Sequence, residues 1–279
     1  MTATVSKNIN DASKEYGKTF SVCSLVTNFQ QYEDMLASFE KNGFMNDQCE
    51  FMHIDNSANN QYDAYTGLHK MIHACNSKYV ILCHQDIKLL DHDFAHLVAL
   101  LEELEKIDPT WAVAGNAGGF GFDRIRTCIS DPYGFTGPQP DLPVAVDSLD
   151  ENFIILKASA QVSPSQDLNG FHFYGLDLCM QAKSRGHNAY VIGFLLHHYG
   201  SGTRDKVYYE SLHAVEEKHH KLMKPRWATT PTTQIRLTSS WFGLRFSRAL
   251  RFGYYVWKHI KYVAKNPSKG ITGKRNSST

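Results

Sequence analysis

Short apolar runs alternate along this chain with longer segments whose apolar residues recur three and four positions apart. Residues 20–29 (FSVCSLVTNF), 49–54, 79–83 and 111–114 are such runs, bounded by polar residues and too short for good helices. They read as strands buried on both faces of a sheet. Between them, Tyr32, Met35, Leu36 and Phe39 share one helical stripe, as do Tyr65, Leu68, Ile72 and Cys75. A third stripe is formed by Phe94, Leu97, Val98, Leu101 and Leu104, and Gly43 is a plausible stop for the first helix. Strand and helix in strict alternation predict an α/β fold with a mostly parallel, doubly wound sheet.

Beyond residue 120 the pattern loosens. Residues 120–143 are rich in Gly, Pro and aromatics and are expected to form a loop or hairpin long enough to act as a flap. Residues 144–160 resume as extended structure, and 163–169 are turn-rich. A short helix then runs to Gly186, and a late strand over 189–196 ends in His197-His198. Tyr208, Leu212, Val215, His219 and Leu222 predict one more helix. No internal repeat is present.

Three of the early runs end in polar residues: Thr27-Asn28, Asp55-Asn56 and His84-Gln85-Asp86. Ligands of open α/β sheets bind at the carboxyl edge of the strands, so these ends are expected to line one pocket. An ionised Asp55 can only accept, which suits a ribose or a base. Asp86 is a hard oxygen ligand of the kind that holds Mg²⁺ or Mn²⁺ against phosphates, and His198 is placed to complete that metal site. The alternative for each is an ordinary strand-end turn residue.

Composition narrows the setting. The 279 residues, 42% of them hydrophobic, can bury one full α/β core with an appendage. Six scattered cysteines without a CxxC argue against a disulfide framework or a cysteine zinc site, which fits a cytoplasmic location. The polar N-terminus lacks the apolar core of a signal peptide. The net charge of +1 hides an asymmetry, because residues 229–279 hold ten Lys/Arg and no acid. The first 228 residues carry 19 basic and 28 acidic side chains, a formal −9. The expected organisation is a flexible leader (1–19), a catalytic domain (20–228), a basic amphipathic helical region (229–266) and a disordered tail (267–279).

The order and spacing of several motifs resemble the GT-A glycosyltransferases, in particular the family 2-like group. The resemblance covers roughly residues 20–200. A branch of that group carries His-Gln-Asp where most members have Asp-x-Asp, and this chain has His84-Gln85-Asp86. Gly115-Asn116-Ala117-Gly118, the segment from Phe171 to Asp177, and His197-His198 are similar to that branch as well. The resemblance implies a GT-A fold with a C-terminal helical appendage. It also implies metal-assisted, inverting transfer of a sugar from a nucleotide diphosphate sugar to the hydroxyl of a glycan or lipid-linked acceptor. Thr27, Asn28, Asp55 and Asn56 would line the nucleoside, with Thr66 beside it. His84, Gln85 and Asp86 would face the donor, and Asp86 would bridge to the diphosphate through a divalent cation. Asp150 and Glu151 would contact the transferred sugar or acceptor.

Two departures accompany the resemblance. His84 stands where a carboxylate is usual. Tyr174 and Gly175 fall where an acidic pair commonly precedes a helix, leaving Asp177 as the candidate base and His172 as its alternative. Asp177 could equally cap the helix, and His172 could simply pack between its aromatic neighbours. A catalytically silent nucleotide-sugar-binding protein is therefore a second expectation, and a metal-dependent hydrolase a third.

Residues 241–263 project as an amphipathic helix. Phe242, Phe246, Phe252, Val256 and Ile260 lie on one side, and Arg248, Arg251, Lys258 and Lys261 on the other. That pattern fits an anionic membrane surface, reached from the cytoplasmic side, and not a span. The alternative is packing on the chain's own body or on a second subunit, so an oligomer stays open. Nucleic acid is not an expected partner, because no recognised module accompanies the basic stretch.

Overall fold

A computed structural model describes residues 15–265 apart from Ser201, Thr203 and Thr232. The expected tail at 267–279 and the first fourteen residues of the expected leader lie outside the described residues. The chain divides into two compact units, Met1–Val215 and Glu216–Thr279.

The first unit opens with β1 (Lys18–Val26), α1 (Phe29–Lys41), β2 (Cys49–Asp55), α2 (Ala64–Ala74) and β3 (Ser77–Cys83). A short β4 (Ile87–Leu89) precedes α3 (Phe94–Ile107) and β5 (Trp111–Gly115). Next come β6 (Ala117–Phe120), β7 (Arg124–Thr127), β8 (Ile129–Asp131), β9 (Gly134–Thr136), β10 (Val144–Val146), β11 (Ser148–Leu149) and β12 (Phe153–Lys157). The unit continues with α4 (Tyr174–Ser184), β13 (Asn188–Val191), β14 (Leu196–His198) and the start of α5 (Lys206–Met223). The main sheet has the order β10-β13-β5-β12-β3-β1-β2.

β1 pairs in parallel with β2 and β3, and β13 with β5, whereas β12 and β10 run against their neighbours. The architecture is therefore mixed α/β with a mostly parallel central sheet. Side chains alternate across it, as strand geometry requires. Phe20, Ile81 and Phe153 meet Met35 and Phe39 of α1 and Leu97 and Leu101 of α3 on one face. On the other face, Cys23, Leu82 and Ile154 meet Leu68 of α2 and Leu178 of α4.

Local chemistry explains where the elements begin and end. Asn28, Asp63 and Asp93 cap α1, α2 and α3 by accepting from backbone N–H groups of the first turn. Because Asn28 caps, Phe29 belongs to the helix and not to the strand expected over 20–29. Gly43 and Gly186 take φ of 82° and 83° just beyond α1 and α4, a conformation that favours glycine. The expected strand over 189–196 is two strands in two sheets. β13 stays in the main sheet, while β14 leaves it to pair with β4 and β8. β12, apolar on both faces, inserts antiparallel where a parallel strand would read the same.

The second unit holds the end of α5, a hairpin of β15 (Arg226–Thr229) and β16 (Gln234–Leu237), and α6 (Trp241–Lys265). α6 packs on β16, with Arg251 donating to the Gln234 carbonyl at 3.1 Å. The hairpin occupies the start of the region expected to be helical. Phe242, Phe246, Phe252 and Ile260 of α6 are exposed. No helix among the described residues is long and apolar enough to cross a membrane.

Candidate functional site

The main-chain course after β3 assembles a polar cluster. The sheet ends where His84 N–H donates to the Asn152 carbonyl at 3.0 Å, and the chain turns through Gln85 and Asp86 into β4. β14 lies antiparallel to β4 with His198 opposite Ile87, and Tyr199 N–H donates to the Asp86 carbonyl. This register, more than any sequence proximity, carries His198 to Asp86. His198 Nε2 stands 3.5 Å from Asp86 Oδ1 and 3.3 Å from His84 Nδ1. His84 Nδ1 is 3.9 Å from the same carboxylate oxygen.

Asp86 and His198 reinforce each other's charge. Burial pushes the Asp86 carboxyl up, but the His198 hydrogen bond and the charges of His198 and His84 outweigh it, leaving the pKa below the ordinary value. Burial likewise pulls His198 down, yet its bond to Asp86 and that residue's charge raise it overall. His84 is lowered, first by burial and then by His198, so it is the neutral imidazole of the pair. Its tautomer follows from Tyr174. That hydroxyl donates its proton to the Glu151 carbonyl at 3.1 Å, so at 3.2 Å from His84 Nε2 it must accept. The lone pair of His84 is thereby left on Nδ1, facing Asp86 and His198.

A divalent cation fits this arrangement. One ligand atom from each of His84, Asp86 and His198 lies within 4.8 Å of the others. The space beside them is kept clear by Gly200, where a Cβ would stand 2.8 Å from Asp86 Oδ2 and 3.0 Å from His198 Nε2. Two imidazoles and a carboxylate suit Mn²⁺ better than Mg²⁺.

Gln85 fastens the neighbouring strand end. Its Oε1 accepts from Thr27 N–H and Asn28 N–H at 2.7 and 2.9 Å, and its Nε2 donates to Thr27 Oγ1 and Gln31 Oε1. Val26 pairs with Asp55 in register, so the ends of β1, β2 and β3 open on one sheet edge. Asp55 is exposed there, with Ser57 hydroxyl and N–H donating to its carboxylate and holding its pKa low. Asn56, by contrast, is buried and binds Tyr62 through both ends of its amide. Thr66 is exposed on the first turn of α2, its N–H taken by Asp63.

A second group of carboxyls gathers around the start of α4. Asp177 is fully buried, and its two oxygens accept from Ser165 Oγ at 2.6 Å and Ser165 N–H at 2.7 Å. It ties the 163–169 turn to α4 and has no path to a substrate. The helix cap is instead Phe173, in a left-handed conformation without a side-chain bond. His172 packs its ring 5.4 Å from that of Tyr208, and its carbonyl accepts from Tyr65. Asp150 is exposed, with one oxygen engaged by Asn152. Glu151 is half-buried, and its Oε1 accepts from Gly175 N–H at 3.3 Å. Burial, opposed by the N–H groups of α4 and aided by Asp150, pushes its pKa up to about 8.

Sequence reasoning missed Tyr174, which carries the contact between His84 and Glu151. The signal available was a tyrosine standing where an acid would resemble the family better. It also missed Gly200, for which proximity to His198 was the sole hint.

No protein-family model matches the chain. A protein of Fuscovulum blasticum named "ATP synthase subunits region ORF 6" is 37% identical over 232 residues, covering 81% of this chain and 93% of that one. The chain belongs to the family of that protein, whose name states no activity. Among solved structures, GalNAc-T7 with UDP, GalNAc and Mn²⁺ aligns at 9% identity and a TM-score of 0.49, over 71% of this chain and 48% of that one. The chain thus spans about half the length of that neighbour. The mannosyltransferase PcManGT of Pyrobaculum calidifontis, in complex with GDP-Man and Mn²⁺, aligns at 10% identity and 0.47, over 76% and 67% of the two chains. S. aureus TarS aligns at 11% and 0.45, over 72% and 39%.

Proposed function

We propose that this chain is a glycosyltransferase that moves a sugar from a nucleotide diphosphate sugar to an acceptor hydroxyl, with inversion at the anomeric carbon. The observation that carries the reading is the shared edge. The ends of β1, β2 and β3 deliver Thr27, Asp55 and Asp86 to one rim, with a cation-sized cluster at one end. A site for hydrolysis alone would have no use for the polar wall that Gln85 fastens between β1 and β3.

In this reading Asp55 accepts from the ribose or base, and Thr27, Asn28 and Thr66 border the nucleoside. Asn56 and Gln85 act one layer back by fixing the loops that carry these groups. His84 Nδ1, Asp86 and His198 Nε2 would hold Mn²⁺ or Mg²⁺, which supplies positive charge against the departing diphosphate. Asp150 and Glu151 lie beside the sugar and acceptor. Asp177 and His172 keep structural parts, the first holding a buried turn and the second packing on Tyr208.

A glycan or lipid-linked acceptor fits the second unit. α6 has exposed aromatics, basic residues and no acid, and Lys258 and Lys261 lie over the rings of Tyr254 and Trp257. Aromatics beside cations suit the headgroup layer of an anionic membrane, so a peripheral position is part of the proposal.

The test is a panel of UDP-, GDP- and dTDP-sugars screened by thermal shift with and without Mn²⁺, followed by assay of nucleotide diphosphate release. Metal-dependent stabilisation with release supports transfer. Binding without any release supports a silent nucleotide-sugar-binding protein, for which the two imidazoles at the cation site speak.

A further inference from the structure

We propose that Glu151 is the general base that takes the proton from the acceptor hydroxyl, an assignment that rests on the glycosyl-transfer reading above. The geometry separates it from every other carboxyl near the cluster. Asp86 faces two imidazoles at the cation site. Asp177 is sealed and doubly bonded to Ser165. Asp55 sits at the far strand end with Ser57. Asp150 is exposed and spends one oxygen on the N–H and side-chain amide of Asn152.

Glu151 is half-enclosed over the start of α4, where the N–H groups of Phe173, Tyr174 and Gly175 face its carboxyl. One Tyr174 side chain separates its residue from the cluster, touching the Glu151 carbonyl on one side and His84 on the other. Space for this approach is made by Gly175. A Cβ there would lie 2.2 Å from the Leu149 carbonyl oxygen and 3.3 Å from Glu151 Cγ, so the glycine lets the 149–151 backbone, and Glu151 with it, lie close on the helix start.

A purely capping role would leave a different signature. A carboxylate serving only the N–H groups of a helix start has its charged form favoured, and its pKa falls. At Glu151 burial wins instead, and the group titrates near 8, where a base can be both deprotonated and strong enough to accept. The titratable groups facing it are Asp150 on its own loop, Tyr174 of α4 and Tyr65 of α2.

The step balances simply. The acceptor oxygen bonds to the anomeric carbon as the bond from that carbon to the phosphate oxygen breaks, and its electron pair leaves with the nucleotide diphosphate. The acceptor proton passes to a Glu151 oxygen and from there to solvent.

The experiment uses the full chain with Mn²⁺, the nucleotide-sugar panel, and water as the acceptor, reading nucleotide diphosphate release from pH 5.5 to 9.5. Wild-type release should rise with pH on a limb near 8. Glu151→Gln should lose about a hundredfold or more in rate, the usual worth of a general base, while its donor-induced thermal shift is kept. Glu151→Asp should recover part of the rate on a displaced limb, and Asp150→Asn should move the limb to lower pH by removing a charge that helps raise Glu151. A Glu151→Gln rate within about threefold of wild type, or an unmoved limb in Glu151→Asp, overturns the assignment. Loss of the donor shift in Glu151→Gln also overturns it, by making the residue a binding group. If wild type binds and releases no donor at all, glycosyl transfer itself fails.

Discussion

Two carboxylates meet the first turn of α4, one from each side. On the inner side Asp177 is fully buried, and its two oxygens are matched by two donors of Ser165. On the outer side Glu151 is half-buried, and its carboxyl faces the N–H groups of Phe173, Tyr174 and Gly175, the last donating at 3.3 Å. The inner group has everything it needs from the protein. The outer one is taken from water without full compensation, and its pKa rises to about 8. A carboxyl whose bonds are all made in the core serves the fold, whereas one that burial still pushes up against its bonds has chemistry open to it.

The comparison breaks first at Asp177. Asp177→Ala leaves the Ser165 N–H and hydroxyl proton without their acceptor in a buried site, although Gln181 still donates to the hydroxyl oxygen, at a cost of about 3 kcal/mol. The melting temperature should fall by roughly 6–12 °C for a unit of this size, with donor binding retained below the transition. Unchanged melting would mean that the 163–169 turn does not depend on this carboxylate.

Glu151→Gln should act in the opposite sense, and the pH dependence tells the two apart. The folded Glu151 holds its proton up to about 8, against an ordinary value of 4.5. Between these values the unfolded chain has released the proton and the folded one has not, so this group's contribution to stability falls as pH rises. Below 4.5 both states are protonated and the contribution is flat. Glu151→Gln should therefore melt at about the wild-type temperature at pH 4 and above it at pH 8. Equal melting at both pH values would contradict the uncompensated burial.

A smaller effect is expected at Tyr174, whose hydroxyl joins the Glu151 loop to His84. Tyr174→Phe should cost about 1 kcal/mol of stability and weaken Mn²⁺ binding roughly tenfold, as loss of a group behind a ligand does. Calorimetric titration with Mn²⁺ alone reads this directly. Smallest for the first unit is neutralisation of α6. Arg248, Arg251, Lys258 and Lys261 changed together to Gln should abolish co-sedimentation with phosphatidylserine vesicles and leave donor-induced melting shifts untouched. Persistent sedimentation would remove the membrane from the proposal.

Much of the framework was legible in the chain because its signals are local. β3, α1 and α3 follow from apolar spacing, although that spacing carries the first strand through Asn28 to Phe29, where the structure has the cap and first residue of α1. The cluster was half legible. Asp86 and His198 could be paired as ligands, but the reason they meet is the departure of β14 from the main sheet, a register that no periodicity encodes. The part of Asp177 was not legible at all. An acid in a first helical turn has the same sequence appearance whether Ser165 or solvent lies against it. Only packing distinguishes them, and packing also turned Gly175 from a missing acid into the point where the Leu149 carbonyl crosses the helix start.

The central claim is that the strand ends and the His84, Asp86 and His198 cluster form one donor site. Its most direct measurement is the melting shift produced by nucleotide diphosphate sugars with and without Mn²⁺, compared between wild type and Asp86→Ala. The account predicts that at least one donor raises the wild-type melting temperature more with Mn²⁺ than without it, and that Asp86→Ala erases this difference. A metal-dependent shift of equal size in Asp86→Ala would contradict it.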